Sequence, residues 1–155
     1  MIKLRALEPE DIDFLYQLEN EETLWEVSDT QLPFAKHLLQ DYIRNAQQDI
    51  YEAKQYRYVI AFEEGTPMGC VDLYDFSPKH RRAAVGIALL PVYRGKGYAK
   101  EALRQGLQVA KEKNIKKALV TCSVGNSVSR AVIVSNGGVF EDVRNGVERY
   151  WIDLE

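Results

Sequence analysis

Tyr93-Arg94-Gly95-Lys96-Gly97-Tyr98-Ala99 joins a short apolar run, Val85-Gly86-Ile87-Ala88-Leu89-Leu90, to a segment with clear helical periodicity. A strand that passes through a glycine-rich turn into a helix start is a ready anion site. The first backbone N–H groups of a helix have no intrahelical partner, and the helix dipole places partial positive charge at the same point. Gly95 and Gly97 remove the Cβ atoms that would hold a phosphate off those amides. Arg94 and Lys96 add cationic side chains beside them. The implied chemistry is a backbone cradle for a diphosphate. A tight loop with solvated basic residues would look similar from this stretch alone.

Two common cradles are excluded. A Walker-type loop needs Lys followed by Ser or Thr to reach the terminal phosphates and Mg²⁺. Here Gly97 and Tyr98 follow Lys96. A dinucleotide fingerprint needs a third glycine three residues after the second, and position 100 is Lys100.

Composition sets the remaining bounds. A chain of 155 residues is expected to form one domain, 1–155, with a proper core. Its net charge of −3 argues against general nucleic-acid binding. Cys70 and Cys122 lie in apolar, strand-like stretches with no motif around them, as expected of reduced core thiols. The opening residues Met1-Ile2-Lys3-Leu4-Arg5 alternate like a strand and carry no apolar leader. No run approaches a membrane span in length. The expectation is a soluble, cytoplasmic protein.

The order of elements alternates between strands and helices. Ile2 to Ala6 is the first strand. Pro9, Glu10 and Asp11 open a helix whose apolar face is assigned to Ile12, Leu15 and Tyr16. A polar stretch from Glu19 to Leu32 leads to a second helix near Phe34 to Gln47. Tyr56 to Glu63 and Met68 to Tyr74 form a hairpin around Gly65-Thr66-Pro67. Arg82 to Leu90 is a strand stopped by Pro91. After the glycine turn, Ala99, Ala102, Leu103, Gly106, Leu107 and Ala110 recur on one helical face. Ala118 to Cys122 is a buried strand. Asn126 opens a helix that Gly137-Gly138 ends. Val139 to Arg144 and Val147 to Leu154 flank Asn145-Gly146, a strong type I′ hairpin signal.

Strand, turn of the form Arg-x-x-Gly-x-Ala, helix, strand, then Asn-x-x-Ser on a following helix resembles the GNAT superfamily of N-acetyltransferases. The residues that carry the resemblance are Arg94, Gly97 and Ala99, then Asn126 and Ser129. The stretch from Gly69 through His80-Arg81-Arg82 to Ala99 is most similar to the spermidine and ribosomal-protein N-acetyltransferase branch. The resemblance covers nearly the whole chain. It implies an α/β (α+β) fold with a mixed sheet of about six to seven strands flanked by about four helices.

What the resemblance implies for the site follows residue by residue. The cofactor is acetyl-CoA, its pyrophosphate resting on Arg94, Gly95, Lys96, Gly97, Tyr98 and Ala99. The pantetheine arm pairs with the backbone of Ile87, Ala88 and Leu89, where the family's strand splays from its neighbour. An extended arm bearing amides can add to an open strand edge, so backbone would read it. The Leu89 amide is then the natural donor to the thioester oxygen as it gains charge. Asn126 and Ser129 line the cofactor from the next strand and helix. Asn126 also suits a plain helix N-cap.

Direct attack by an unprotonated amine leaves two proton tasks. Many relatives use a carboxylate on the strand leading into the cofactor site, and the aligned residue here is Ala84. Asp72, on the adjacent strand, is the expected replacement as base, with an outward-facing strand carboxylate as the alternative. Glu26, beside Trp25, is a second candidate. The family often places a tyrosine seven residues after the motif asparagine as the thiolate's acid. Here that position is Ile133. Tyr74, Tyr98 and Ser135 remain as hydroxyls. A tyrosine at 133 would bring its hydroxyl to the leaving group's side, unless the isoleucine fills a packed spot.

Glu19, Glu21, Glu22, Glu26 and Asp29 crowd the segment between the first two helices, which in this family walls the acceptor site. Such a wall attracts a cationic amine: a polyamine, an aminoglycoside-like small amine or a peptide N-terminus. A solvated acidic loop is the alternative. Arg149-Tyr150-Trp151 could line the same cleft or pack the last hairpin. His37 and His80 lack partners at metal-ligand spacing, and no metal is expected. No membrane or nucleic-acid partner is expected, and a homodimer is compatible with the chain. With the strand carboxylate and the tyrosine both missing, an acyl-CoA-binding sensor without turnover stays open beside the enzyme.

Overall fold

The computed structural model describes residues 1–21 and 55–155. Seven strands form one sheet: β1 (Ile2–Ala6), β2 (Gln55–Phe62), β3 (Pro67–Ser77), β4 (Arg82–Leu89), β5 (Lys117–Ser123), β6 (Val139–Arg144) and β7 (Val147–Asp153). Their spatial order is β1-β2-β3-β4-β5-β7-β6. Every pairing is antiparallel except β4 with β5. That parallel step requires a crossover, which the helix α2 (Tyr98–Glu112) supplies. The other described α-helices are α1 (Ile12–Glu19) and α3 (Ser127–Ser135). The helix expected near Phe34 to Gln47 lies outside the described residues.

Alternation along the strands divides the core into two layers. On one face Val71, Leu73, Val85, Ala118 and Val120 pack with Ala102, Leu103, Leu107 and Ala110 of α2 and Ile133 of α3. On the other, Val59, Ala61, Cys70 and Leu90 pack with Phe14, Leu15 and Leu18 of α1. Tyr16 was expected on the buried stripe of α1, yet it is 41% exposed. Phe14 and Leu18 complete the stripe instead. A 3-10 turn over Pro9–Asp11 precedes α1, and the buried face of the helix is centred on Leu15 between Phe14 and Leu18, which leaves Tyr16 at its edge.

The α2 stripe is buried at Ala102, Leu103, Gly106, Leu107 and Ala110. Gly106 is required there by close approach. A Cβ at this position would stand 2.8 Å from Cγ1 of Val71, inside any normal carbon contact. The hairpin turn Asn145-Gly146 takes positive φ at both residues, 53° and 77°, as a type I′ turn demands.

At the edge of the second layer, Arg5 fixes the start of α1. Its Nη1 and Nη2 donate to Oδ2 and Oδ1 of Asp11, both at 2.8 Å. The Glu8 amide donates to the same carboxylate at 2.8 Å. Burial pushes the Asp11 carboxyl up, but Arg5 and the Glu8 amide outweigh it and hold the group below its ordinary value.

Candidate active site

β4 and β5 part company halfway along. They are in register only at Arg82–Lys117, Ala83–Ala118 and Ala84–Leu119. Beyond Ala84, β4 continues beside β3 alone and β5 beside β7 alone. A wedge therefore opens between them, with its apex at Ala84 and its mouth at Leu89. In an antiparallel ladder each residue turns its N–H and C=O to one side. The Leu90 amide donates to the Met68 carbonyl at 2.9 Å, so residues 84, 86, 88 and 90 face β3. Val85, Ile87 and Leu89 turn their backbone groups into the wedge. Ile87 and Leu89 thus offer polar backbone there, while Ala88 gives its own to β3.

The glycine turn lies at the mouth. A short 3-10 turn, Pro91–Tyr93, carries the chain from β4 to Arg94. The Nε of Arg94 donates to the Leu89 carbonyl at 3.1 Å, which ties the turn to the strand that lines the wedge. Gly95 and Gly97 have φ of 74° and 85°, and Gly97 is the N-cap of α2. An ideal Cβ at either glycine would meet nothing within 4 Å. The space before the turn is therefore open, and the amides of Tyr98, Ala99 and Lys100 point from the first turn of α2 without helical acceptors. The Tyr98 ring stands edge-on to Phe62, with centroids 5.5 Å apart.

On the α1 face the structure brings together three charged residues. Arg57 of β2 is the register partner of Asp72 of β3. Its Nε donates to Oδ1 of Asp72 at 2.6 Å and its Nη2 to Oδ2 at 2.9 Å. Nη1 of the same guanidinium donates to Glu19 at the end of α1. Burial by itself would lower the Arg57 pKa, and the facing carboxylates of Asp72 and Glu19 more than offset it, holding the guanidinium well above its ordinary value. The two carboxylates keep 25% and 20% exposure, so the cluster is reachable from solvent. Sequence reading found Asp72 and missed Arg57. The signal was present, because Arg57 shares the phase of the buried Val59 and Ala61 and so must face inward.

At the start of α3, Oδ1 of Asn126 accepts the Ser129 amide at 3.1 Å, which is the N-cap role. Ile133 is only 3% exposed and belongs to the core. Its Cγ2 would lie 2.5 Å from a Cβ at position 138, so Gly138 is what lets the chain turn over it. Tyr150 faces the same layer and donates to Glu148 at 2.8 Å. Arg130 holds that carboxylate in a fork at 2.9 and 2.7 Å. Arg130 and Tyr150 keep the Glu148 carboxyl below its ordinary value. Arg149 turns to the opposite face, where it pairs with Glu141 and Asp142. Glu26, together with Trp25, Asp29 and His37, lies outside the described residues.

The site is thus a mixed sheet wedged open beside a glycine-rich helix start. Residues 2–139 match the acetyltransferase (GNAT) domain family, and the chain belongs to that family. A spermidine N(1)-acetyltransferase of Escherichia coli K12 is 31% identical over 115 residues, which cover 66% of this chain and 53% of that enzyme. An uncharacterized N-acetyltransferase, YokL, from the SPbeta prophage of Bacillus subtilis is 24% identical over 102 residues, covering 66% of this chain and 55% of its own. The chain thus matches about half the length of these curated relatives. Among solved structures, spermidine N-acetyltransferase from Vibrio cholerae in complex with CoA and spermine superposes with a TM-score of 0.84. It is 24% identical, and the match covers 99% of this chain and 95% of that one. No described helix is long and apolar enough to cross a membrane.

Proposed function

We propose that this protein is an acetyl-CoA-dependent N-acetyltransferase acting on a cationic primary amine. The observation that carries the reading is the wedge between β4 and β5 with the Arg94–Ala99 turn at its mouth. The residues fit CoA on structural grounds of their own. Left-handed glycines leave open space before unpaired helix amides, as a diphosphate requires. Ile87 and Leu89 present backbone donors and acceptors along the wedge, as an amide-bearing arm requires. Arg94, Gly95, Lys96, Gly97, Tyr98 and Ala99 would hold the pyrophosphate. Asn126 and Ser129 would face the arm from the β5 side.

Bound acetyl-CoA supplies a thioester carbonyl open to attack and a thiol leaving group. The protein's part is to position and to stabilise charge. The Ile87 amide, turned into the wedge nearer its apex than Leu89, is the donor for oxygen as it gains negative charge, and Leu89 holds the arm nearer the mouth. Among the described residues the Glu19–Arg57–Asp72 cluster sets two carboxylates against one guanidinium, a balance that would draw an arriving ammonium. Each carboxylate oxygen has more than one acceptor direction, so Asp72 can take a water or a substrate N–H while it keeps the Arg57 fork. We infer that it accepts the substrate proton through water.

A polyamine is the first acceptor to test, because the relatives include spermidine acetyltransferases and the cluster is anionic. Aminoglycoside-like amines and peptide N-termini are the next classes. The decisive experiment is acetyl-CoA-dependent thiol release against all three. Release with any of them supports the enzyme. CoA binding without release on any acceptor would favour the second reading, an acyl-CoA sensor, which rests on Ala84 and Ile133.

A further inference from the structure

Because Ile133 is locked in the core, side-chain acid help for the leaving thiolate must come from elsewhere, and the described tyrosines, with Ser135, can be sorted by position. Tyr150 gives its proton to Glu148. The Ser135 hydroxyl donates to the Val132 carbonyl at 2.9 Å. Tyr56 and Tyr58 stack on each other at 4.8 Å on β2, two strands away from the wedge. Tyr93 and Tyr98 both pack edge-on against Phe62, and Tyr16 is on α1. Tyr74 differs from all of them. It is the register partner of Ala84, the last β4 residue joined to β5. Its Cε1 lies 3.5 Å from where a Cβ of Gly86 would stand. The ring therefore covers the first residues of β4 past the apex of the wedge. Its hydroxyl has no hydrogen-bond partner among the described residues. No partnerless side-chain N or O atom among them is fully buried, so the hydroxyl is not sealed in the core.

We propose that Tyr74 is the catalytic acid that protonates the departing thiolate. The assignment rests on the acetyltransferase reading above. With phosphates at the mouth of the wedge, an arm running along Leu89 and Ile87 brings its sulfur end toward Gly86 and the apex. The amine nitrogen forms a bond to the thioester carbon and the C–S bond breaks. The sulfur keeps that electron pair and takes the Tyr74 hydroxyl proton, giving CoA thiol and tyrosinate. The proton lost by the attacking nitrogen restores the phenol through water. Burial above all, with Asp75 and Asp72 nearby, raises the Tyr74 pKa, so the side chain rests as the proton-bearing phenol.

Tyr74→Phe keeps the ring and removes the donor. Calorimetry with CoA and desulfo-CoA gives a readout without turnover. Wild type should prefer CoA by about fivefold, the scale of one ordinary hydrogen bond, and Tyr74→Phe should lose that preference. With acetyl-CoA, kcat should fall by about 10²-fold, the low end for general acid help, with KM for the amine nearly unchanged. A Tyr74→Phe protein with wild-type kcat overturns the assignment. So does one that loses kcat but keeps the CoA over desulfo-CoA preference, since its hydroxyl would then serve the amine. Failure of wild type to bind CoA would instead overturn the acetyltransferase reading, and this assignment with it.

Discussion

The guanidinium of Arg57 straddles the carboxylate of Asp72 across neighbouring strands, at 2.6 and 2.9 Å, and reaches Glu19 of α1 with its remaining nitrogen. One cation thus contacts two carboxylates on the α1 side of the sheet. The orientation of Asp72 is a property of the pair.

Asp72→Asn should lower turnover near neutral pH while CoA affinity stays almost unchanged. Part of the loss should return at higher pH, where more of the amine is already free. Arg57→Lys should also lower turnover, because an ammonium cannot hold both oxygens in a planar fork. Steady-state kinetics over a pH series, with CoA titrations on the same proteins, check both. Wild-type rates for Asp72→Asn at every pH would remove it from the mechanism.

Gly97→Val separates the turn's two roles. A Cβ at position 97 meets no protein atom within 4 Å, so the fold should survive with a backbone cost of about 1–2 kcal/mol for the left-handed φ. The side chain would stand in the space assigned to the diphosphate. CoA affinity should fall at least tenfold, or about 1.4 kcal/mol. Unchanged calorimetric affinity in the folded variant would refute the placement.

Ile133→Tyr is expected to destabilise without any gain in rate. The residue fills the core beside Gly138, so a larger ring overpacks it at a cost of about 1–3 kcal/mol. Chemical denaturation and thiol-release kinetics give the two readings. A faster variant of normal stability would show that position 133 does reach the leaving group.

Asp11 gives a stability prediction with a definite sign. Its folded pKa is lowered, so its contribution is complete above the ordinary carboxylate value near 3.8 and is lost as pH falls through the folded value. Asp11→Asn should cost about 2 kcal/mol at neutral pH, the scale of hydrogen bonds to a charged group. Its stability should also fall less steeply below pH 4 than that of wild type. Parallel denaturation curves at pH 7 and pH 3 test this.

The sequence by itself determined most of the described elements and the glycine turn, because both depend on local chemistry. The stripe Ala102-Leu103-Gly106-Leu107-Ala110 can only be one buried helix face. Asn145-Gly146 can only favour one hairpin turn, and Gly95 and Gly97 mark a left-handed turn before a helix whatever surrounds them. The phase of α1 was less legible, since Ile12, Phe14, Leu15, Tyr16 and Leu18 surround this short helix and only packing selects Phe14, Leu15 and Leu18 over Tyr16. Tertiary structure decided what depends on strands meeting. Pairing between β4 and β5 ends at Ala84 and Leu119, and that single fact creates the wedge and turns Ile87 and Leu89 into it while Ala88 faces β3. It also brought Arg57, Asp72 and Glu19 together from three separate elements. It buried Ile133 and laid the Tyr74 ring over Gly86. Residues far apart in the chain become neighbours through register, and a one-residue slip would send each of these side chains to the opposite face.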